Sequence, residues 1–284
     1  MIKRQLFLFL LTTACFRLSA QHNAPSFKDN AVRIDLQNAL SDSIYHLLAP
    51  FQVLMLGEMH GTNEPAQLLA ALAQMFAAKG DSVQVGFEIP ADQMTAFRDQ
   101  HTPESAFTSD FFAKPAFKDG RGSVAWANAI AALADKKTVD IFFYDITADD
   151  SKTEDRDSLM YLKLKKQYLR HPGWKMLTLS GNVHNMSSPQ ERLGRNTMAS
   201  YFKQDPELQL GMRICSLNHY YQKGSCRANF GKGLEERPLD RAENDFDWVG
   251  FEQYILLVSA TSTYPYNGFF YTKLVTAAKM VREE

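Results

Sequence analysis

The sequence predicts an α/β protein with a mostly parallel central sheet flanked by helices. Three observations predict it. Apolar runs of strand length recur at residues 53–56, 83–87, 139–144, 176–179, 208–214 and 254–258. Stretches of helical periodicity lie between most of them, and strands alternating with helices imply right-handed βαβ units. Several runs end abruptly in glycine and ionisable residues. That is the mark of a buried strand emerging at its carboxyl end, where open α/β sheets place their chemistry.

The first twenty residues are unlike the rest. Met1-Ile2-Lys3-Arg4 is a short positive start, and an apolar run centred on Leu6-Phe7-Leu8-Phe9-Leu10-Leu11 follows it. Leu18-Ser19-Ala20 then precedes polar residues. This three-part pattern predicts a secretory signal peptide over 1–20, with an apolar core too short to span a bilayer. Lipid attachment at Cys15 is the weaker alternative, because Leu11-Thr12-Thr13-Ala14 fits a lipid-attachment box poorly. The expectation is an exported chain, periplasmic or secreted, with no transmembrane segment once mature. Residues 21–35 read as a polar arm, and 36–284 as one α/β domain.

Within that domain each element has a local reason. After the strand at 53–56, Leu68, Leu69, Leu72, Met75 and Phe76 recur at helical spacing. Thr62 or Asn63 can cap this helix, Pro65 suits its first turn and Gly80 its end. A stretch over about 91–122, rich toward its end in Phe, Lys, Gly and Asp, reads as a helical lid. Ala125 to Leu133 is alanine-rich, with Trp126, Ile130 and Leu133 on one side. Glu154 to Leu169 reads as a charged helix carrying Leu159, Leu162 and Leu169. Beyond it stand Cys215 and Cys226, an even pair in an exported chain, with Tyr220, Tyr221 and Gly224 between them. They predict a disulfide across a strand–turn–strand excursion, a closure contributing roughly 2–3 kcal/mol. The alternative is two free thiols.

The 31 basic and 32 acidic residues leave a net charge of −1, so no basic excess points to nucleic acid. Polar groups instead collect at four strand ends. Glu58 and His60 stand between Gly57 and Gly61; Glu88, Asp145, and then Asn182 with His184 follow the next runs. Parallel strands would bring all of them to one sheet edge. A carboxylate beside an imidazole orients it and raises its basicity, so that it can activate water near neutral pH. Two histidines and two glutamates could instead hold a divalent metal that acidifies water. Asp145 and Glu88 each have an equal claim to a structural role. Arg121, between Gly120 and Gly122, could hold an anionic substrate or be a solvated loop residue. Of the other histidines only His219, beside Tyr220 and Tyr221, has a setting worth watching. No Gly-x-Ser-x-Gly elbow, phosphate-binding loop or His-Glu-x-x-His helix is present.

Leu56-Gly57-Glu58-Met59-His60-Gly61-Thr62-Asn63-Glu64 resembles the opening motif of the erythromycin esterase-like proteins and of the related haem-uptake (ChaN-like) and Tiki/TraB-like proteins. Val85-Gly86-Phe87-Glu88 is similar to their second acidic strand end. Arg156-Asp157-Ser158-Leu159-Met160 and Leu179-Ser180-Gly181-Asn182-Val183-His184 resemble their late pair of motifs. The resemblance implies an α/β fold with its site at the strand ends. In the esterase-like branch His60 would activate water to attack an ester, with Glu58 and Glu88 assisting. In the Tiki-like branch Glu58, His60 and His184 would be the metal ligands of a protease. In the haem-uptake branch the chain would bind haem without hydrolysis, and Tyr220, Tyr221, Tyr264 and Tyr266 are possible axial ligands. Met59 and the shorter length depart from the esterase pattern, so a macrolide is not the expected substrate.

The expectation is therefore an exported hydrolase of an ester or amide, acting on a small molecule or peptide. His60 is the base, Glu58 orients it, and His184 with Asn182 binds or protonates the leaving group. Arg121, Asp145 and Glu64 are further substrate-binding candidates. The alternatives are a haem or metal scavenger without turnover and a metal-dependent protease.

Overall fold

A computed structural model describes residues 27–100, 109–113, 119–150, 154–188, 194–229, 233–242, 245–259 and 264–281. The expected signal peptide, Cys15, and residues 101–108 and 114–118 of the expected lid lie outside the described residues. The strands are β1 (Val32–Arg33), β2 (Val53–Glu58), β3 (Val83–Pro90), β4 (Val139–Asp145), β5 (Lys175–Gly181), β6 (Ile214–Asn229), β7 (Leu234–Asp240), β8 (Gln253–Leu257) and β9 (Gly268–Val275). They form one nine-stranded sheet in the order β1-β8-β9-β6-β2-β5-β3-β4, with β7 paired to β6. From β9 to β4 the six neighbouring strands are parallel. The β1, β7 and β8 pairings are antiparallel.

The helices are α1 (Phe27–Asn30), α2 (Asp42–Leu48), α3 (Glu64–Ala78), α4 (Gln93–Gln100), α5 (Asp110–Ala113), α6 (Val124–Ala134), α7 (Arg156–Arg170) and α8 (Met198–Gln204). Every residue of β2, β3 and β5 is buried. That is the signature of parallel strands covered on both faces. Alternation sends Leu54 and Leu56 of β2 toward one core, with Leu68, Leu72 and Phe76 of α3 and Trp126 and Ile130 of α6. Val53 and Met55 face the other core, with Met160 and Leu164 of α7 and Phe202 of α8. A third cluster, Tyr254, Leu256, Phe269 and Tyr271, packs the antiparallel end. In the lid-like stretch Phe111 packs beside Trp126 and Phe97 beside Phe143. No helix among the described residues is long and apolar enough to cross a membrane.

Two expectations are corrected. Residues 208–214 are not a strand. Leu208 and Leu210 are plugs in the core under α8, a 3-10 turn follows at Gly211–Arg213, and only Ile214 begins β6. The turn expected near Gly224 does not exist either, because β6 is one strand of 16 residues. Cys215 and Cys226 are both on it, both buried and both free. Eleven positions of extended chain span about 36 Å, whereas a disulfide needs Cα atoms within about 7 Å.

Candidate active site

Parallel pairing does what the sequence pattern requires. Leu56 aligns with Leu179 and Phe87 with Leu179 and Phe143. The residues just beyond these positions therefore emerge together at the carboxyl edge. Glu58 ends β2, Glu88 lies near the end of β3, Asp145 ends β4, and Asn182 and His184 follow β5.

Glu88 is the centre of the cluster, with a side chain only 1% exposed. Its Oε2 accepts from the Gly181 amide at 2.8 Å. Its Oε1 accepts from Arg121 Nη1 at 3.0 Å and Arg156 Nη2 at 2.5 Å. Burial opposes ionisation, but the charges of Arg121, His60, His184 and Arg156 outweigh it and hold the carboxyl at about 2. Asp145 is bound by the same two arginines, at 2.7 Å from Arg121 Nη1 and 2.8 Å from Arg156 Nη2.

Two imidazoles flank this carboxylate. His60 Nδ1 lies 2.5 Å from Glu58 Oε1, and its Nε2 stands 4.0 Å from Glu88 Oε2. Glu58 is buried, and its Oε2 accepts from Trp126 Nε1 at 3.0 Å. Burial raises the Glu58 pKa. Burial works against the His60 cation, but the Glu58 hydrogen bond and the charges of Glu58 and Glu88 prevail, so His60 binds its proton more tightly than a free imidazole. His184 Nδ1 lies 2.7 Å from Asp157 Oδ1. Its Nε2 lies 3.1 Å from Arg156 Nη1. Arginine only donates, so this Nε2 accepts and the His184 proton is on Nδ1, toward Asp157. A Cβ on Gly181 would come within 2.9 Å of His60 Nε2 and 3.7 Å of His184 Cδ2, so glycine leaves the two rings their room.

The exposed parts of the cluster are few. The His60 side chain is 26% exposed, Arg156 33% and His184 12%. Val183, between Asn182 and His184, is exposed.

The structure joins Glu58, His60, Glu88, Asp145 and His184 as expected, but reassigns others. Arg121 is buried, and its donors go to Glu88, Asp145 and Asp119, so it braces Glu88 rather than waiting for an anion. Asp145 has both oxygens occupied by arginines and the Ile146 amide. Asn182 spends its carboxamide on the His219 backbone, directly where a Cβ on Gly57 would collide. Glu64 bonds to Thr276, outside the cluster. His219 is buried against Phe270, and burial pushes its pKa down to about 3. Trp126, Arg156 and Asp157 carry parts that spacing did not reveal; only the resemblance marked Arg156 and Asp157, without a role.

Among the described residues no group of three or more His, Cys, Asp or Glu side chains is arranged to hold a metal. The donor set explains this. Both Nδ1 atoms face carboxylates, His184 Nε2 faces a guanidinium, and two guanidinium groups fill the space between Glu88 and Asp145. The ligand set Glu58, His60 and His184 does not fit that arrangement. Of the tyrosines considered as haem ligands, Tyr264 and Tyr266 donate their hydroxyls to the carbonyls of Gly268 and Asn182, and the Arg241 guanidinium lies over the Tyr220 ring.

No protein-family model matches the chain. No curated protein matches its sequence. Solved structures do match its fold. A succinoglycan biosynthesis protein superposes with a TM-score of 0.72 at 9% identity, over 90% of this chain and 97% of the other. A second protein, from Bacillus cereus, gives 0.70 at 9% identity, over 90% and 98%. An erythromycin esterase mutant in its open conformation gives 0.61 at 12% identity, over 89% and 99%. The chain has the mixed α/β fold of that esterase, as the sequence resemblance implied.

Proposed function

We propose that this chain is a hydrolase of an ester or amide, with His60 as the general base that activates water. The observation that carries the reading is the Glu58–His60 pair. One ring nitrogen is fixed on a buried carboxylate, and the other stands 4.0 Å from Glu88 Oε2 on a side chain that is 26% exposed. Water bound at His60 Nε2 gives its proton to that nitrogen as its oxygen attacks the substrate carbonyl. Glu58 stabilises the imidazolium through Nδ1–H. The carbonyl oxygen takes up the electron pair and is met by Arg156, the more exposed guanidinium of the two at Glu88. Collapse expels the alcohol or amine, which recovers the proton from His60. His184 acts here differently from expectation: it accepts from Arg156 and so aims the guanidinium.

The fold likeness to an esterase supports a hydrolytic reading in general and no substrate in particular. A panel of p-nitrophenyl esters and amides of short acyl chains tests it. The expected result is turnover that falls 10²–10⁴-fold, as an order of magnitude, in His60→Ala. No turnover by the wild type across the panel, or full turnover by the variant, overturns it. Export by residues 1–20 belongs to the same proposal. N-terminal sequencing of the exported protein is expected to begin at Gln21; a retained leader refutes that part.

A further inference from the structure

After β9 the chain bonds in succession to the two turns that carry the site. At the turn following His60, the Asn63 amide donates to the Thr276 carbonyl at 3.1 Å. The Thr276 amide and hydroxyl both donate to Glu64 Oε1, at 2.9 and 2.7 Å. Asn63 Nδ2 donates to Thr276 Oγ1 at 2.9 Å and the Ala277 carbonyl at 3.2 Å. The Ala278 amide donates to the carbonyl of Gly61, the residue next to His60, at 2.8 Å. The chain then passes to the turn following Arg121. There the Val124 amide donates to the Lys279 carbonyl at 2.8 Å, and the Val281 amide donates to the Gly122 carbonyl at 3.2 Å. Short antiparallel bridges, Thr62 with Ala277 and Ser123 with Met280, mark the two crossings. Ala278 is buried, with 1% of its surface exposed.

Each turn holds half of the base assembly. The first fixes His60. The second carries Arg121 and, through the Ser123 cap of α6, Trp126, which bonds to Glu58. The turns touch at glycines: a Cβ on Gly120 would lie 2.5 Å from Gly61 Cα. Their spacing is therefore set by backbone, and the segment that pins both backbones sets the register of His60 against Trp126 and Arg121.

We propose that residues 276–281 are a positioning strap of the active site, anchored by Glu64 and Thr276, whose loosening lowers turnover rather than substrate binding. The kinetic half rests on the hydrolase reading; the coupling of the two turns rests on geometry alone. Thr276→Val in the full chain removes the hydroxyl that bonds Glu64 and Asn63. Amide hydrogen exchange is expected to accelerate together at residues 61–64 and 122–126, by roughly tenfold, as for a shared local opening. With a p-nitrophenyl ester, kcat is expected to fall by on the order of ten- to a hundredfold at unchanged KM, the cost of a base about 1 Å out of place. Thr276→Ser is expected to restore both. Asn63→Ala, which removes only two side-chain bonds to the strap, repeats the test if Thr276→Val does not fold. Faster exchange confined to one turn, or joint loosening with kcat unchanged, overturns the strap. Turnover that survives His60→Ala removes the hydrolase reading but leaves the exchange result to decide the coupling.

Discussion

Two carboxylate–imidazole pairs stand on either side of Glu88, alike in composition and opposite in use. Glu58–His60 leaves Nε2 4.0 Å from the Glu88 carboxylate on a side chain 26% exposed; Asp157–His184 has its Nε2 covered by Arg156. A paired histidine is defined by its second nitrogen. Where that nitrogen meets space it can take a proton from water. Where it meets a guanidinium it can only hold that group still. The largest expected effect tests this directly. His60→Ala is expected to cost 10²–10⁴-fold in kcat, as an order of magnitude, and His184→Ala only about tenfold, because Arg156 remains braced by Glu88 and Asp145. Equal losses in steady-state kinetics would erase the distinction between the pairs.

Glu88 is what the two pairs share, with His60 Nε2 at 4.0 Å and His184 Nε2 at 3.7 Å from its carboxylate. Glu88→Gln leaves Arg121 with Asp145 and Asp119 as counter-charges, and a loss of about 3 kcal/mol in urea unfolding near neutral pH is expected. Wild-type stability carries the same signature in acid. The Glu88 pKa is depressed from 4.5 to about 2 in the folded state, so its contribution is complete above 4.5 and disappears as pH falls through 2. That contribution is about 3 kcal/mol. A Glu88→Gln protein whose acid unfolding matched the wild type in this window would show that the carboxylate carries no such linkage.

The pairs were unequally legible in the sequence for a physical reason. Glu58, His60, Glu88, Asp145 and His184 each follow a buried apolar run, and parallel pairing turns that local pattern into proximity. Asp157 and Arg156 open a helix eleven or twelve residues beyond β4, with no periodic mark to say which way their side chains reach. Trp126 reads as an apolar helix residue, because nothing local reports that its indole N–H meets Glu58. The antiparallel end was the least legible part. In β6, Asn218, His219, Gln222 and Lys223 interrupt the apolar signal, so one long strand read as two short ones joined by a turn. Leu208 and Leu210 misled in the other direction: apolar residues that fill a core from a loop have the composition of a strand without its pairing.

The pH dependence of kcat separates the two pairs. A general base must be unprotonated to act, so activity falls on the acid side as His60 takes up its proton. Its pKa is raised above 6.5, and the acid limb is expected above that value. Glu58→Gln removes the hydrogen bond and the largest of the charges that hold the proton, leaving only those of Glu88 and Asp119 against burial, so the limb is expected to move to lower pH. Asp157→Asn is expected to lower kcat without moving the limb, since His184 does not take the proton from water. A limb that followed Asp157 instead of Glu58 would exchange the roles of the two pairs.

The smallest effect has the most specific sign. Trp126 Nε1 donates to Glu58 Oε2, the carboxylate oxygen that His60 does not use. Trp126→Phe removes that donor while keeping an aromatic ring in a buried position. Stability is expected to fall by about 1–3 kcal/mol, from one lost hydrogen bond to a charged group. Less satisfied, the Glu58 anion becomes a stronger partner for the imidazolium, so the acid limb is expected to move up in pH, opposite to Glu58→Gln. At the Asp157 pair the oxygen that His184 does not use faces a charge instead of an indole, Arg195 Nη1 at 3.2 Å, while Oδ1 also accepts from the Met198 amide. If Trp126→Phe and Glu58→Gln moved the limb in the same direction, the indole would be acting through packing and not through the charge on Glu58.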